Sequence, residues 1–307
     1  MKVLVTGCGG FVAGVFSRTA SASGHIVVGL ARNAPSVGDV RQYPADSVLL
    51  ARTLDEFCPD VIFHGAGTAS VANSIKDPAT DLEASFGTWR ALLEAVRISN
   101  VRPVIIYPSS AAVYGHPAQL PVPENAASNP ISPYGFHRLL CETLSREYGY
   151  CFGLNVITCR LFSVFGPEQR RLLIWDLFEQ LRSARSRIQL RGTGRETRDF
   201  MSVHDAARAI LLIAEAAVSD PTNVPRLINI ASGEERKIAD MALMMKKIVV
   251  PEADVEITFS GKITPGDPVN WGADIRALLE LINDWKTAPL EDALRATVAA
   301  WDVDVKK

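Results

Sequence analysis

Tyr134 and Arg138 stand four residues apart in Pro130-Ile131-Ser132-Pro133-Tyr134-Gly135-Phe136-His137-Arg138, on a predicted helix opened by Ser-Pro. That spacing puts both side chains on one helical face. A cation beside a phenol stabilises the phenolate, so Tyr134 can pass a proton to or from a hydroxyl near neutral pH. The same spacing also occurs where Tyr and Arg simply cover a helix surface. Ser110 is a second candidate. Residues 103–108 read as a buried strand ending at Ser109-Ser110, and the carboxyl end of such a strand faces the crevice where open α/β sheets bind ligands.

The elements that must position these groups begin at the amino end. Lys2-Val3-Leu4-Val5-Thr6 is an apolar run that stops at glycine, as a buried parallel strand does. Gly7, Gly10 and Phe11 follow, and Val12-Ala13-Gly14-Val15-Phe16-Ser17-Arg18 reads as a helix. Strand, glycine turn and helix bring backbone N–H groups to a helix amino end, where a pyrophosphate binds without a side-chain cation. A second strand over residues 25–30 leads into Ala31-Arg32-Asn33. NAD sites favour a carboxylate at this strand end, whereas an arginine suits the 2′-phosphate of NADP. No carboxylate lies between Leu30 and Gly38, so Arg32 tilts the choice slightly to NADP, with a solvated loop arginine the equal alternative.

Composition sets outer bounds. A chain of 307 residues accommodates one large α/β domain with a smaller lobe. Its 32 basic and 34 acidic residues nearly balance, so no bulk field points to nucleic acid or an anionic membrane. No segment reaches the length of a spanning helix, and Met1-Lys2-Val3-Leu4-Val5 is too short and strand-like for a signal peptide. Five cysteines without a CxxC pair suggest reduced thiols and a cytoplasmic setting. The five histidines are scattered, so no metal is expected.

Taken in chain order, Thr6-Gly7-Cys8-Gly9-Gly10-Phe11, Ser109-Ser110-Ala111-Ala112-Val113-Tyr114-Gly115 and Tyr134 with Arg138 resemble the extended short-chain dehydrogenase/reductase family. That family comprises NAD(P)-dependent nucleotide-sugar epimerases, dehydratases and ketoreductases. Other segments extend the resemblance nearly end to end. Asp60-Val61-Ile62-Phe63-His64-Gly65-Ala66-Gly67 is similar to the family's fourth strand and exit, with His64 read as structural. Arg160-Leu161-Phe162-Ser163-Val164-Phe165-Gly166-Pro167 is similar to the strand leading into the sugar-nucleotide lobe. Gly192-Thr193-Gly194, read as a hairpin turn, precedes Arg198-Asp199-Phe200, another family match.

The resemblance implies a doubly wound parallel sheet of Rossmann type with a smaller mixed α/β substrate lobe. Residues 1–166 would form the dinucleotide-binding domain, with 196–230 returning to it, and 167–195 and 231–307 would form the lobe. It implies cofactor contacts from Gly7, Gly10, Phe11, Val12, Arg32, Asp46 (to the adenine), Ala66, Tyr134 and Arg138. Ser110, Tyr134 and Arg138 would be catalytic, and Ser109, Tyr114, Ser163 and Arg198 would bind a nucleoside-diphosphate sugar. The implied reaction is hydride transfer at a ring carbon, as in a 4-epimerase or 4-ketoreductase. A homodimer would form through the helix opened by Asp77-Pro78 and the Tyr134 helix, although a monomer core gives the same apolar stripe.

Several positions depart from the pattern. The family has Lys at Arg138, commonly Asn at Ser163, and Arg at Thr264. These leave open a second function: a non-catalytic dinucleotide-binding sensor or assembly partner of the same fold. Ala111-Ala112 occupy the places of the acid pair of 4,6-dehydratases, which argues against that reaction. His137 is read as facing another side of its helix, with no part in the site.

Overall fold

The computed structural model describes residues 1–32, 40–42, 46–262, 266 and 268–305. In chain order its strands are β1 (Lys2–Thr6), β2 (Ile26–Ala31), β3 (Val40–Gln42), β4 (Val61–His64), β5 (Val104–Ser110), β6 (Asn155–Leu161), β7 (Ser163–Phe165), β8 (Arg187–Leu190), β9 (Thr197–Ser202), β10 (Leu227–Ile230), β11 (Glu235–Lys237) and β12 (Glu256–Phe259). The helices are α1 (Phe11–Ala22), α2 (Ser47–Phe57), α3 (Val71–Lys76), α4 (Pro78–Leu82), α5 (Thr88–Ile98), α6 (Pro133–Phe152), α7 (Leu172–Ser183), α8 (Val203–Ser219), α9 (Ile238–Val249), α10 (Arg276–Leu281) and α11 (Leu290–Val305).

Seven strands form one sheet in the order β10-β6-β5-β4-β1-β2-β3, every pair parallel. Strands covered on both faces need apolar residues at successive positions, and β1 and β4 meet that need. Val3, Val5 and Phe63 face α1 and α8, where Phe63 stacks on Phe16 at 4.5 Å. Leu4, Ile62, Ile105 and Tyr107 face the opposite layer of α2, α5 and α6, including Leu54, Trp89 and Cys141. Burying one large apolar side chain in this way stabilises the fold by roughly 1.5–3 kcal/mol.

The chain runs outward from β1 to β3 and then places β4 on the other side of β1. This reversal is the topological switch point of the sheet, and the crevice opens at the carboxyl ends of β1 and β4. Thr6 and His64 end these two strands in register.

Where the sequence predicts one long helix after Asp77-Pro78, the structure inserts a π-helical turn at Glu83–Gly87 between α4 and α5. The Thr88 hydroxyl donates to the carbonyls of Ala84 (2.8 Å) and Ser85 (3.2 Å), inserting itself into the helical ladder.

The smaller part holds a three-stranded sheet, β11-β9-β7, and a two-stranded one, β12-β8, packed with α7, α9 and α11 through Phe178, Met241, Met245, Leu294 and Trp301. Its course differs from the expected boundaries. Within 196–230, α8 and β10 return to the large domain, but β9 pairs with β7 and β11. Leu278 and Trp285 also pack into the core of the large domain. The expected hairpin at Gly192 and Gly194 is instead a turn between sheets, because β8 pairs with β12. The Glu196 carboxylate closes that turn by accepting from the Thr193 amide at 2.8 Å. Among the described residues no helix is long and apolar enough to cross a membrane.

Candidate active site

Gly7 has φ 65° and donates its amide to the Leu30 carbonyl at 2.7 Å. A Cβ at this position would lie 2.6 Å from the Ala66 amide nitrogen, so the turn needs glycine both for its conformation and for its passage against the β4 exit. The Ala13 methyl fills the space that a Gly65 side chain would take, lying 2.5 Å from where its Cβ would stand. Gly10 is the N-cap of α1 and provides no side-chain acceptor for the first amides of the helix. Those amides and the half-buried Phe11 and Val12 therefore form a ready anion cradle next to half-buried Ala66. The residues present fit the pyrophosphate of a dinucleotide.

Arg32 is exposed just beyond β2, and its carbonyl accepts from Gln42 Nε2 at 3.1 Å. Residues 33–39, part of the stretch without carboxylates, lie outside the described residues. Asp46 is exposed and caps α2, its Oδ1 accepting from the amides of Val48 and Leu49, both at 2.9 Å. This helix cap by itself gives an aspartate here a structural role.

His64 is buried and structural. Its Nδ1 lies 2.9 Å from Thr6 Oγ1, and its ring packs against Trp89 with centroids 4.9 Å apart. Burial, assisted by the charge of Arg138, pushes its pKa down to about 3.

Ser110 ends β5 and is half-buried, its Oγ accepting from the Ala112 amide at 3.2 Å as the chain enters a 3₁₀ turn. Ser132 caps α6 through the Gly135 amide at 3.2 Å, and the Tyr134 amide donates to Ser74 Oγ at 3.0 Å. A Cβ on Gly135 would lie 2.6 Å from the Ala112 carbonyl oxygen. The amino end of α6 thus presses directly on the turn after Ser110, which brings half-buried Tyr134 to the carboxyl end of β5.

Arg138 is buried beneath Tyr134, with its guanidinium carbon 5.1 Å from the ring centroid. Nη1 donates to Tyr107 Oη at 3.0 Å and to the Pro108 carbonyl at 3.2 Å, and Nη2 donates to the Thr68 carbonyl. Nε is buried with no hydrogen-bond partner among the described residues. Burial raises the pKa of Tyr107 well above the phenol range, against the pull of Arg138, so this phenol remains neutral as an acceptor.

His137 does not have the passive placement expected. Its Nδ1 lies 2.6 Å from Asp81 Oδ2, both residues are buried, and Asp81 Oδ1 accepts from Thr68 Oγ1. A signal was available: Asp81 precedes Ser85 by four residues and Trp89 by eight, on the buried stripe of the helix.

The sequence model of the NAD dependent epimerase/dehydratase family matches residues 3–231. The chain belongs to this family. UDP-glucose 4-epimerase of Mycolicibacterium smegmatis is 30% identical over 258 residues, covering 78% of this chain and 80% of that relative. UDP-glucuronic acid 4-epimerase from Bacillus cereus, solved with UDP-glucuronic acid and NAD, superposes with a TM-score of 0.84 at 26% identity over 99% of each chain. The NAD-dependent NDP-hexosamine 5,6-dehydratase TunA superposes with a TM-score of 0.85 at 25% identity over 98% of each chain.

Two residues expected to contact substrate, Ser109 and Tyr114, are buried in this structure. Ser109 is buried and donates to Glu142 Oε1 at 2.5 Å, and Glu142 in turn pairs with Arg160 Nη2 at 2.6 Å. Tyr114 is fully buried, donates to Asn229 Oδ1 at 2.7 Å, and lies under the Arg160 guanidinium at 4.5 Å. Both side chains are engaged in one buried polar network around Arg160. Ser163 is half-buried at the start of β7, paired in register with Phe200. Arg198, two residues before Phe200, donates to the carbonyls of Thr197 (2.7 Å) and Val269 (3.1 Å) and stacks over Trp271 at 5.3 Å. Thr264 lies outside the described residues.

The neutral burial of His64 has a pH consequence. Its folded pKa is depressed below the unfolded value near 6.5, so the stability it carries is present above about pH 6.5 and lost as pH falls toward 3. His64→Asn keeps an acceptor near the position of Nδ1. Urea unfolding between about pH 7 and 5 should show a slope reduced by up to about 1.4 kcal/mol per pH unit in this variant. An unchanged slope contradicts the assignment.

Proposed function

We propose that this chain transfers hydride to and from a ring carbon of a nucleoside-diphosphate sugar, as a 4-epimerase or 4-ketoreductase. The observation that carries the reading is the fixed guanidinium of Arg138, 5.1 Å from the ring of Tyr134, at the strand end that bears Ser110. Among the described residues neither the Ser110 nor the Tyr134 hydroxyl proton has a protein acceptor, so both are available to a substrate oxygen.

Ser110 donates to and orients the reacting oxygen. Tyr134 takes its proton when the hydroxyl is oxidised and returns it when the ketone is reduced. The Arg138 charge stabilises the negative charge that develops on the phenol. The nicotinamide, when bound, supplies the hydride acceptor and donor. The Gly7 turn and the open amino end of α1 would hold the pyrophosphate, and Arg198 is the candidate for the sugar-nucleotide diphosphate.

Ala111 lies in a buried apolar cluster with Val113, Ala112 is buried beside it in sequence, and Glu124 Oε1 accepts from the Asn229 backbone amide at 2.9 Å. Alanine at both places of the acid pair supports epimerisation or reduction over 4,6-dehydration. It bears on that dehydration alone, and the likeness to TunA keeps other dehydrations within the family's range. A homodimer through α5 and α6 fits the exposure of Phe136 and Leu140 on α6 and Ile98 on α5.

Arg32 decides between the two dinucleotides. If it reads a 2′-phosphate, Arg32→Ala will weaken NADPH binding by about tenfold or more and leave NADH binding unchanged, as measured by calorimetry. Equal losses, or none, remove Arg32 from the site and favour NAD.

Tyr134→Phe should lower turnover of a UDP-hexose by about 10²–10⁴-fold, followed by proton NMR of the products, with dinucleotide affinity unchanged. Wild-type turnover in this variant rules out the catalytic assignment. A wild-type protein that binds dinucleotide but converts no sugar nucleotide supports the non-catalytic alternative.

A further inference from the structure

Asp81 is a carboxylate held at 3% exposure, and a buried charge of this kind requires partners. It has two. Oδ2 meets His137 Nδ1 at 2.6 Å, and Oδ1 accepts from Thr68 Oγ1. Thr68 is tied further to Ser85, whose Oγ lies 3.2 Å from the Thr68 hydroxyl and 3.4 Å from its amide. The carbonyl of this same Thr68 is the acceptor for Arg138 Nη2. His137 and Arg138 are adjacent on α6, so the contacts close a ring: α6 to α4 through His137 and Asp81, α4 to the loop after β4 through Thr68, and that loop back to α6 through Arg138.

We propose that His137 is a positioning residue for Arg138, acting through Asp81 and Thr68. A lysine ammonium is a compact point charge that tolerates acceptors in many directions, whereas a guanidinium is a planar fork that needs its acceptors at fixed places. Two of those acceptors, Tyr107 Oη and the Pro108 carbonyl, belong to β5. The third sits on the loop between β4 and α3, where Thr68 is held by its hydrogen bonds to Asp81 and Ser85. The His137–Asp81 pair is thus the means by which this chain holds an arginine beneath Tyr134. The inference rests on the proposed function and on the cofactor contact that the family resemblance implies for Arg138.

The test is a double-mutant cycle read by calorimetric binding of whichever of NADH and NADPH the wild-type protein binds. His137→Phe should weaken binding by about tenfold, and His137→Asn, which presents an N–H near the position of Nδ1, should restore most of it. In an Arg138→Met background the same His137→Phe change should cost less than about twofold, because the group it positions is gone. Equal losses in both backgrounds would indicate a merely structural histidine and overturn the proposal, as would no loss in either. Thr68→Val enters the same chain from its other side and should show the same non-additivity, which decides the matter if His137→Phe does not fold. A wild-type protein that binds neither dinucleotide overturns the functional reading itself, an outcome distinct from additive losses.

Discussion

A guanidinium taken out of water must find acceptors for its N–H groups, and the site is organised around meeting that demand for Arg138. Its acceptors come from the end of β5 and from the loop after β4, so one charge ties two neighbouring strands of the sheet to α6. Tyr134 lies over this charge, one helical turn earlier on the same face. Moving Arg138 would displace the Thr68 loop, the edge of Tyr107 and the electrostatic surroundings of the phenol together. An arginine where the family resemblance implies lysine is therefore accommodated by a local network, and the side chain is buried.

The other constraint is close approach of backbone at the switch point. Gly7 and Gly65 are packed so tightly against Ala66 and Ala13 that a methyl group on either glycine would overlap its neighbours. That contact leaves the amino end of α1 open beside the exits of β1 and β4, while the Gly135–Ala112 contact brings the amino end of α6 down on β5. These three glycine contacts thus set the relation between the amino end of α1 and the strand and helix ends that carry Ser110 and Tyr134. Ser163 and Arg198 lie apart from these contacts, on the neighbouring strands β7 and β9 of a smaller sheet.

The sequence made the large sheet legible because parallel strands buried on both faces are uniformly apolar, and the Gly7 turn legible because φ 65° excludes most other residues. Tyr134 and Arg138 were legible from helical spacing only together with the Gly7 turn and the Ser109-Ser110 segment upstream, because the spacing alone also fits a pair that covers a helix surface. What escaped reading depended on partners distant in sequence. Ser109 stands opposite Arg160 in the β5–β6 register and is drawn to Glu142, while Tyr114 finds Asn229 more than a hundred residues away. Strand-end position predicts exposure to the crevice, but a buried arginine on the next strand outweighs it. His137 escaped for the same reason: only the packing of α4 on α6 brings Asp81 to it. The separation of β8 from β9 into different sheets likewise follows from pairing with β12 and β7, which no local pattern announces.

The most direct measurement of the central claim is single-turnover reduction of the bound dinucleotide on mixing with UDP-hexose, followed by nicotinamide absorbance in wild type, Arg138→Lys and Arg138→Met. If a fixed cation beneath Tyr134 drives the proton transfer, Arg138→Lys will stay within about tenfold of wild type and Arg138→Met will fall by about 10²-fold or more, in protein saturated with dinucleotide. Reduction at the wild-type rate in Arg138→Met would contradict the account, because the charge on which the site is built would then have no part in the chemistry.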